Sequence, residues 1–216
     1  MLMKFDTRLT LPTLLLGLLA VAIPFTANWH LPLLNGVVVR YIENGQALWL
    51  LFGAVFTAAY IRPMSLPEGE KQFWLWATVW WLVLLGRSTS WGRDYFPEYP
   101  RLLFRALSVV LIAMIILPVI ISKTLRQDIA RRFRNEPLPL WLLAITVVTF
   151  LISDTVEHHR LLAPVFLHNA SYGDLIEELY ELPFLAGLFL INFGFMQRDK
   201  QDESEAVRVG EPQLAE

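Results

Sequence analysis

Residues 106–122, ALSVVLIAMIILPVIIS, hold no ionisable side chain, and how this run is read decides the fold. A helix at the surface of a soluble domain needs a polar stripe at helical spacing, because one face meets water. Here only Ser108 and Ser122 interrupt the apolar side chains, and together with the residues that flank it the run is long enough to cross a bilayer. Pro118 does not argue against a span, since neighbouring helices can satisfy the carbonyl it frees.

Five further runs read the same way: 9–29, 46–61, 72–86, 137–153 and 182–196. The run at 9–29 follows Lys4 and Arg8 as a signal peptide would, but it is long and no small-x-small cleavage site follows, which favours a span. The sequence therefore predicts an all-α, polytopic transmembrane helix bundle of about six spans. Its transmembrane helical domain covers 1–196. The polar segment 197–216, QRDKQDESEAVRVGEPQLAE, has no apolar period and is expected to be a disordered cytoplasmic tail.

Orientation follows from the basic residues. Of the 18 Lys and Arg, only Arg40, Arg87, Arg93, Arg101, Arg105 and Arg160 fall on the outer side if both termini are inside. The remainder, dense in KTLRQDIARRFRNE (123–136), would be cytoplasmic, so the chain reads N-in/C-in in a bacterial inner membrane. The absence of cysteine excludes disulfides, thiolate catalysis and Cys-ligated zinc. A formal net charge of −2 with no basic stripe speaks against nucleic acid. The lipid bilayer is the expected partner, with room for a membrane-protein partner or a homo-oligomer.

Several runs are shorter than the roughly 20 residues a bilayer core requires, so their helices must draw polar neighbours inward. On the outer side these are Arg87, Arg105, Asp154, Glu157, His158 and Glu181. Ionisable groups at that depth face the bundle interior or a wet cavity and take partners. Nine acids are expected there: Glu43, Asp94, Glu98, Asp154, Glu157, Asp174, Glu177, Glu178 and Glu181. Arg87 and Arg105 are expected to neutralise some of them, because a planar guanidinium grips a carboxylate with two hydrogen bonds.

Three motifs make up this layer. In SDTVEHHR (153–160), Asp154, Glu157 and His158 fall at i, i+3 and i+4 on one helix face, a spacing that suits a divalent metal or a proton relay. The plainer reading is a wet helix end whose histidines cap carbonyls. In DLIEELYELPF (174–184), four acids enter a membrane helix within eight residues, and like charges this close require a cation, a base or a proton. An acidic first turn complementing the helix dipole accounts for Asp174 and Glu177 but not for Glu181. In GRSTSWGRDYFPEYPRLLFR (86–105), Trp91, Tyr95, Phe96 and Tyr99 suit an interfacial belt. Arg87, Arg93 and Arg105 there read as charge-pairing or substrate-binding groups, with hydroxyls that suit a phosphate or a lipid headgroup.

No GxSxG, HExxH or phosphate-binding glycine loop is present. Glu177-Glu178 lacks the arginine that membrane-embedded CAAX-type proteases place four residues later, since Leu182 stands there. ENGQALWLL (43–51), GRSTSWGR (86–93) and EELYEL (177–182) together resemble a group of bacterial multi-span membrane proteins without assigned function. Those proteins carry Gly-Glu-Glu-x-Ser-Trp-Gly at a span end. This chain keeps Ser90-Trp91-Gly92 but has Arg87 and Ser88 where the acids would be. The resemblance implies a bacterial inner-membrane setting and no particular activity.

The expected function is a metal-dependent membrane hydrolase or transferase acting on a lipid-linked substrate. Asp154, His158 and Glu178 would hold a divalent metal, Glu178 and Glu181 would be catalytic, and His168 would be a further ligand if LLAPVFLH folds back. Two alternatives stand beside it: a small proton- or cation-coupled transporter built on the same acids, and a structural or partner subunit.

Overall fold

The apolar runs are helices in the computed structural model, which describes residues 4–29, 32–93, 95–167 and 169–210, the last five by backbone alone. Eight α-helices follow in order: α1 Leu11–Ala22, α2 Val37–Ile61, α3 Glu68–Ser88, α4 Arg101–Ile121, α5 Lys123–Asn135, α6 Leu140–Glu157, α7 Ala163–Phe166 and α8 Gly173–Gly210. A two-residue parallel pairing joins β1, Phe5–Asp6, to β2, Leu138–Pro139. The chain divides into two compact units, one of 1–50 with 133–191 and the other of 51–132 with 192–216.

Five helical segments are long and apolar enough to cross a membrane: Leu11–Trp29, Leu34–Ile61, Arg101–Ile121, Leu140–Glu157 and Ala170–Glu205. The expected span at 72–86 is not among them. Its helix, α3, is long enough at 21 residues, but Glu68, Glu70, Lys71 and Arg87 crowd its two ends. The multi-pass reading stands at this coarser level. Large apolar side chains such as Leu14, Leu18, Val109 and Ile120 are exposed on these helices, as surfaces that meet acyl chains must be.

In the first unit, α6 packs on α8 through small and hydroxyl-bearing residues. Gly187 lies so close to Thr146 that a Cβ there would collide with the threonine side chain. Phe150 and Phe184 pack at 5.0 Å between ring centroids, their planes tilted by 42°, further along the same seam. Thr146 and Thr149 turn their hydroxyls back onto the carbonyls of Leu142 and Ile145, at 2.7 and 2.8 Å, so no donor is stranded in the contact. Ile23, Val156, Ile176 and Tyr180 form the buried cluster at one end of the seam.

In the second unit, Gly53 lets α2 approach the Trp81 ring of α3. Trp76 donates its indole N–H to the Ile115 carbonyl at 3.0 Å, in the turn of α4 where Pro118 interrupts the backbone ladder. The largest polar feature lies where α3, α5 and α8 meet. Arg132, 3% exposed, donates to Asp128 at 2.8 Å and to Asp199 at 2.7 Å, and both acids are as deeply buried. Trp74, fully buried, donates its indole N–H to the same Asp199 at 2.6 Å. The Arg132 guanidinium also lies 4.2 Å over the Phe73 ring. Arg131 extends the network by bridging Asp128 at 2.7 Å and Glu70 at 2.8 Å. Burial, reinforced by the negative charge of Asp199, pushes the Glu70 carboxyl above the usual carboxylate range, while Arg131 and Arg132 pull it back.

This network corrects the expected boundary at 196–197. Residues 197–210 continue α8, and Asp199 is buried in the second unit. The segment lacks an apolar period because charge pairing with α5, and not apolar packing, holds this part of the helix. Residues 211–216 lie outside the described residues.

Replacing Arg132 with leucine leaves two buried carboxylates facing each other, and breaking such a pair costs about 3–5 kcal/mol. Arg132→Leu in detergent is expected to unfold at markedly lower temperature than the wild type. Arg126→Leu, at an exposed position of the same helix, serves as the comparison.

Candidate functional site

The acids of α2, α6 and α8 gather at one end of the first unit, and helical spacing explains which of them meet. On α6 the side chains facing α8 are Thr146, Phe150 and Ser153, so the next position on that stripe is Glu157. On α8 the matching stripe is Gly187, Phe184, Tyr180 and Glu177. Glu157 and Glu177 therefore lie at the same end of one seam, and Glu177 feels the charge of Glu157. Glu177 also feels Glu181, Asp174 and Glu43, the last from α2. Glu178 is turned towards α2, where the buried Gln46 donates its amide N–H to the Glu178 backbone carbonyl at 2.9 Å. Glu43, one turn earlier on α2, adds its charge to that of Glu177 and Glu181 around Glu178.

Glu178 is the centre of this group. Its Oε2 atom is buried and accepts no hydrogen bond. Among the described residues, Glu43, Glu177 and Glu178 take part in no ion pair. A buried carboxylate oxygen without a donor is a costly group, the more so with like charges around it. Carboxylates from three helices lie within reach of one another's charge here, Glu178 and Glu181 among them.

The metal-type spacing at the end of α6 also forms a group. Asp154, Glu157 and His158 bring one ligand atom each within 4.8 Å of one another, and Glu178 is not part of that set. Asp154 is already held by Arg160 at 2.9 Å. His158 directs Nδ1 to the Asp154 backbone carbonyl at 3.1 Å and lies 3.5 Å from the Asp154 carboxylate and 3.6 Å from Glu157. That is the carbonyl-capping role expected of a wet helix end, and the His158 side chain is half exposed. His168 lies outside the described residues.

An apolar cleft of about 540 Å³ runs beside α6, between Gly17, Val21, Trp141, Val148 and Ile152 and closed by Tyr180. The α6 positions that line it, 141, 144, 145, 148, 149 and 152, turn away from the stripe that carries Glu157. Asp154 and His158 are not among the residues that line this cleft.

The arginines of the 86–105 stretch belong to the second unit. Arg87, Arg93, Arg101 and Arg105 surround one cleft and make no ion pair among the described residues; Asp94 lies outside these. The ion network at Arg132 went unforeseen, because its members are 61 to 125 positions apart in sequence. The one local signal was Asp128 preceding Arg131 and Arg132 at i+3 and i+4.

Comparison with protein-family models, with curated proteins and with solved structures finds no match. The arrangement of the side chains is therefore what carries a functional reading.

Gly187→Ala is expected to force α6 from α8, at a cost of about 1–3 kcal/mol for overpacking, and to shift Glu157 against Glu177. The double variant Gly187→Ala/Thr146→Ala should recover most of the lost thermal stability. Equal stability of the single variant and the wild type would contradict the close approach.

Proposed function

We propose that this chain is a small multi-pass protein of a bacterial inner membrane that exchanges a cation for protons at the carboxylates around Glu178, as an ion-coupled transporter does. The observation that carries this reading is the buried Glu178 Oε2 atom, without a donor, amid the glutamates of α2 and α8. Charges of one sign can share such a site only when a proton or a cation sits among them. The two are interchangeable there: each lowers the repulsion, and arrival of one releases the other. Carboxylates in membrane helices are the groups through which ion and proton paths run. Gln46 steadies the α8 backbone at this point, and Glu181, one turn beyond Glu177, extends the acidic track along the helix.

A second reading rests on a separate observation, the Asp154, Glu157 and His158 group. A divalent metal held there would polarise a water for hydrolysis or transfer on a lipid-linked substrate. Its donors are engaged by Arg160 and by the Asp154 carbonyl, which makes it the less supported of the two.

The readings separate in liposomes that carry the purified full chain and a pH-sensitive dye. Under an imposed sodium, potassium or manganese gradient, the wild type is expected to drive a proton flux. Glu178→Gln should abolish that flux and His158→Ala should retain it. Flux that survives Glu178→Gln would sink the transport reading. Near-stoichiometric bound metal that is lost in His158→Ala and kept in Glu178→Gln would favour the hydrolase reading instead.

A further inference from the structure

The second unit holds a positively charged cleft of about 480 Å³ that the acidic track does not use. Arg87 comes from the last turn of α3, Arg93 from the connection, and Arg101 and Arg105 from the first two turns of α4. Ser90 and Ser108 add hydroxyls to its wall. Among the described residues none of the four guanidiniums is in an ion pair. The only acids in the connecting sequence are Asp94 and Glu98, two charges against four.

Everything local to α4 makes this placement unfavourable without a counter-ion. Arg101 and Arg105 are like charges at i and i+4, and they stand at the positive end of the α4 dipole. The four arginines are exposed, and an anion held between them would stabilise this cation-rich helix start.

The cleft is also built rigidly. Ser90, Trp91 and Gly92 all have positive φ, at 48°, 62° and 95°, a conformation that costs energy at the two residues that are not glycine. Packing holds it in place. The Trp91 ring lies on Gly86, where a Cβ would collide with it, and Gly92 faces the Phe104 ring. Gly92 donates to the Thr89 carbonyl at 2.8 Å and Arg93 to that of Ser90 at 3.2 Å. The guanidiniums on either side of this turn are thus carried by a braced backbone.

Its depth is set by its neighbours. α4 is long and apolar enough to cross a membrane, and Leu102, Leu103 and Val109 are exposed along it. Tyr95, Phe96 and Tyr99, also exposed, are residues that sit at the level of lipid headgroups. Guanidinium forks match the oxygens of a phosphate, two hydrogen bonds at a time.

We propose that this cleft binds a phosphate-bearing anion, drawn from a phospholipid headgroup or from a free phosphate. The site is independent of the acidic track, and its test does not rely on transport. Full-length protein, delipidated in detergent, is offered phosphatidylglycerol, phosphatidylcholine or inorganic phosphate, and retention is read by native mass spectrometry. The expected result is selective retention of phosphatidylglycerol, weakened roughly tenfold, or about 1.4 kcal/mol, in Arg87→Gln/Arg105→Gln. Lys123→Gln, an exposed cation elsewhere, should leave retention unchanged. Displacement of the lipid by inorganic phosphate would identify free phosphate as a ligand. Retention that phosphate does not reverse would identify the lipid headgroup. If the double variant fails to fold, arginine modification of the wild type by phenylglyoxal replaces it, and either ligand should then protect Arg87 and Arg105. Equal retention of the two lipids, or modification unaffected by both ligands, overturns the proposal.

Discussion

A guanidinium buried among packed helices must be neutralised where it lies, and Arg132 sets the terms for the second unit. It reaches Asp128 on its own helix and Asp199 on α8, while Trp74 of α3 donates to the same carboxylate. Three helices are thereby tied through one cation. The desolvation of these groups is offset only if every lone pair and proton finds a partner. Here the indole N–H and the Phe73 face supply what the ion pairs alone would leave open. The polar end of α8 is ordered because its charge has a place to go.

The same requirement gives meaning to the two places where the chain does not neutralise itself. Around Glu178 and Glu177, acids from α2, α6 and α8 act on one another, and one oxygen of the Glu178 carboxylate is buried without a donor. In the 86–105 stretch, four arginines surround one cleft without an ion pair among the described residues. Packing maintains both clusters against their own repulsion, the first through the Gly187–Thr146 approach and the second through Trp91 on Gly86. An imbalance of charge held in place by rigid packing is the form a binding site takes before its ligand arrives. The two imbalances have opposite sign, and so call for a cation in one case and an anion in the other.

Much of this was legible in the sequence, for physical reasons that differ by element. Long apolar runs announce spans directly, since a bilayer allows few other solutions. The α3 run is less apolar than the others because it is rich in tryptophan and carries charged residues at both ends. The acids of DLIEELYELPF stood out because like charges in one helix must be resolved somewhere. Which partners resolved them was hidden, because helix packing order is a tertiary property. Asp154, Glu157 and His158 come together as their spacing on one helix face allows, while Glu178, expected beside Asp154 and His158 as a ligand, is not in that group. The tail at 197–210 looked disordered for want of an apolar period, and its real anchor, Arg132, lies 67 positions away.

The central claim is that the carboxylates around Glu178 hold a proton or a cation in exchange. The most direct measurement is the number of protons released when the full chain, in nanodiscs at fixed pH, is titrated with sodium, magnesium or manganese. The account predicts saturable proton release with at least one of these cations, absent in Glu178→Gln. Absence of both proton release and cation binding in the wild type would contradict it.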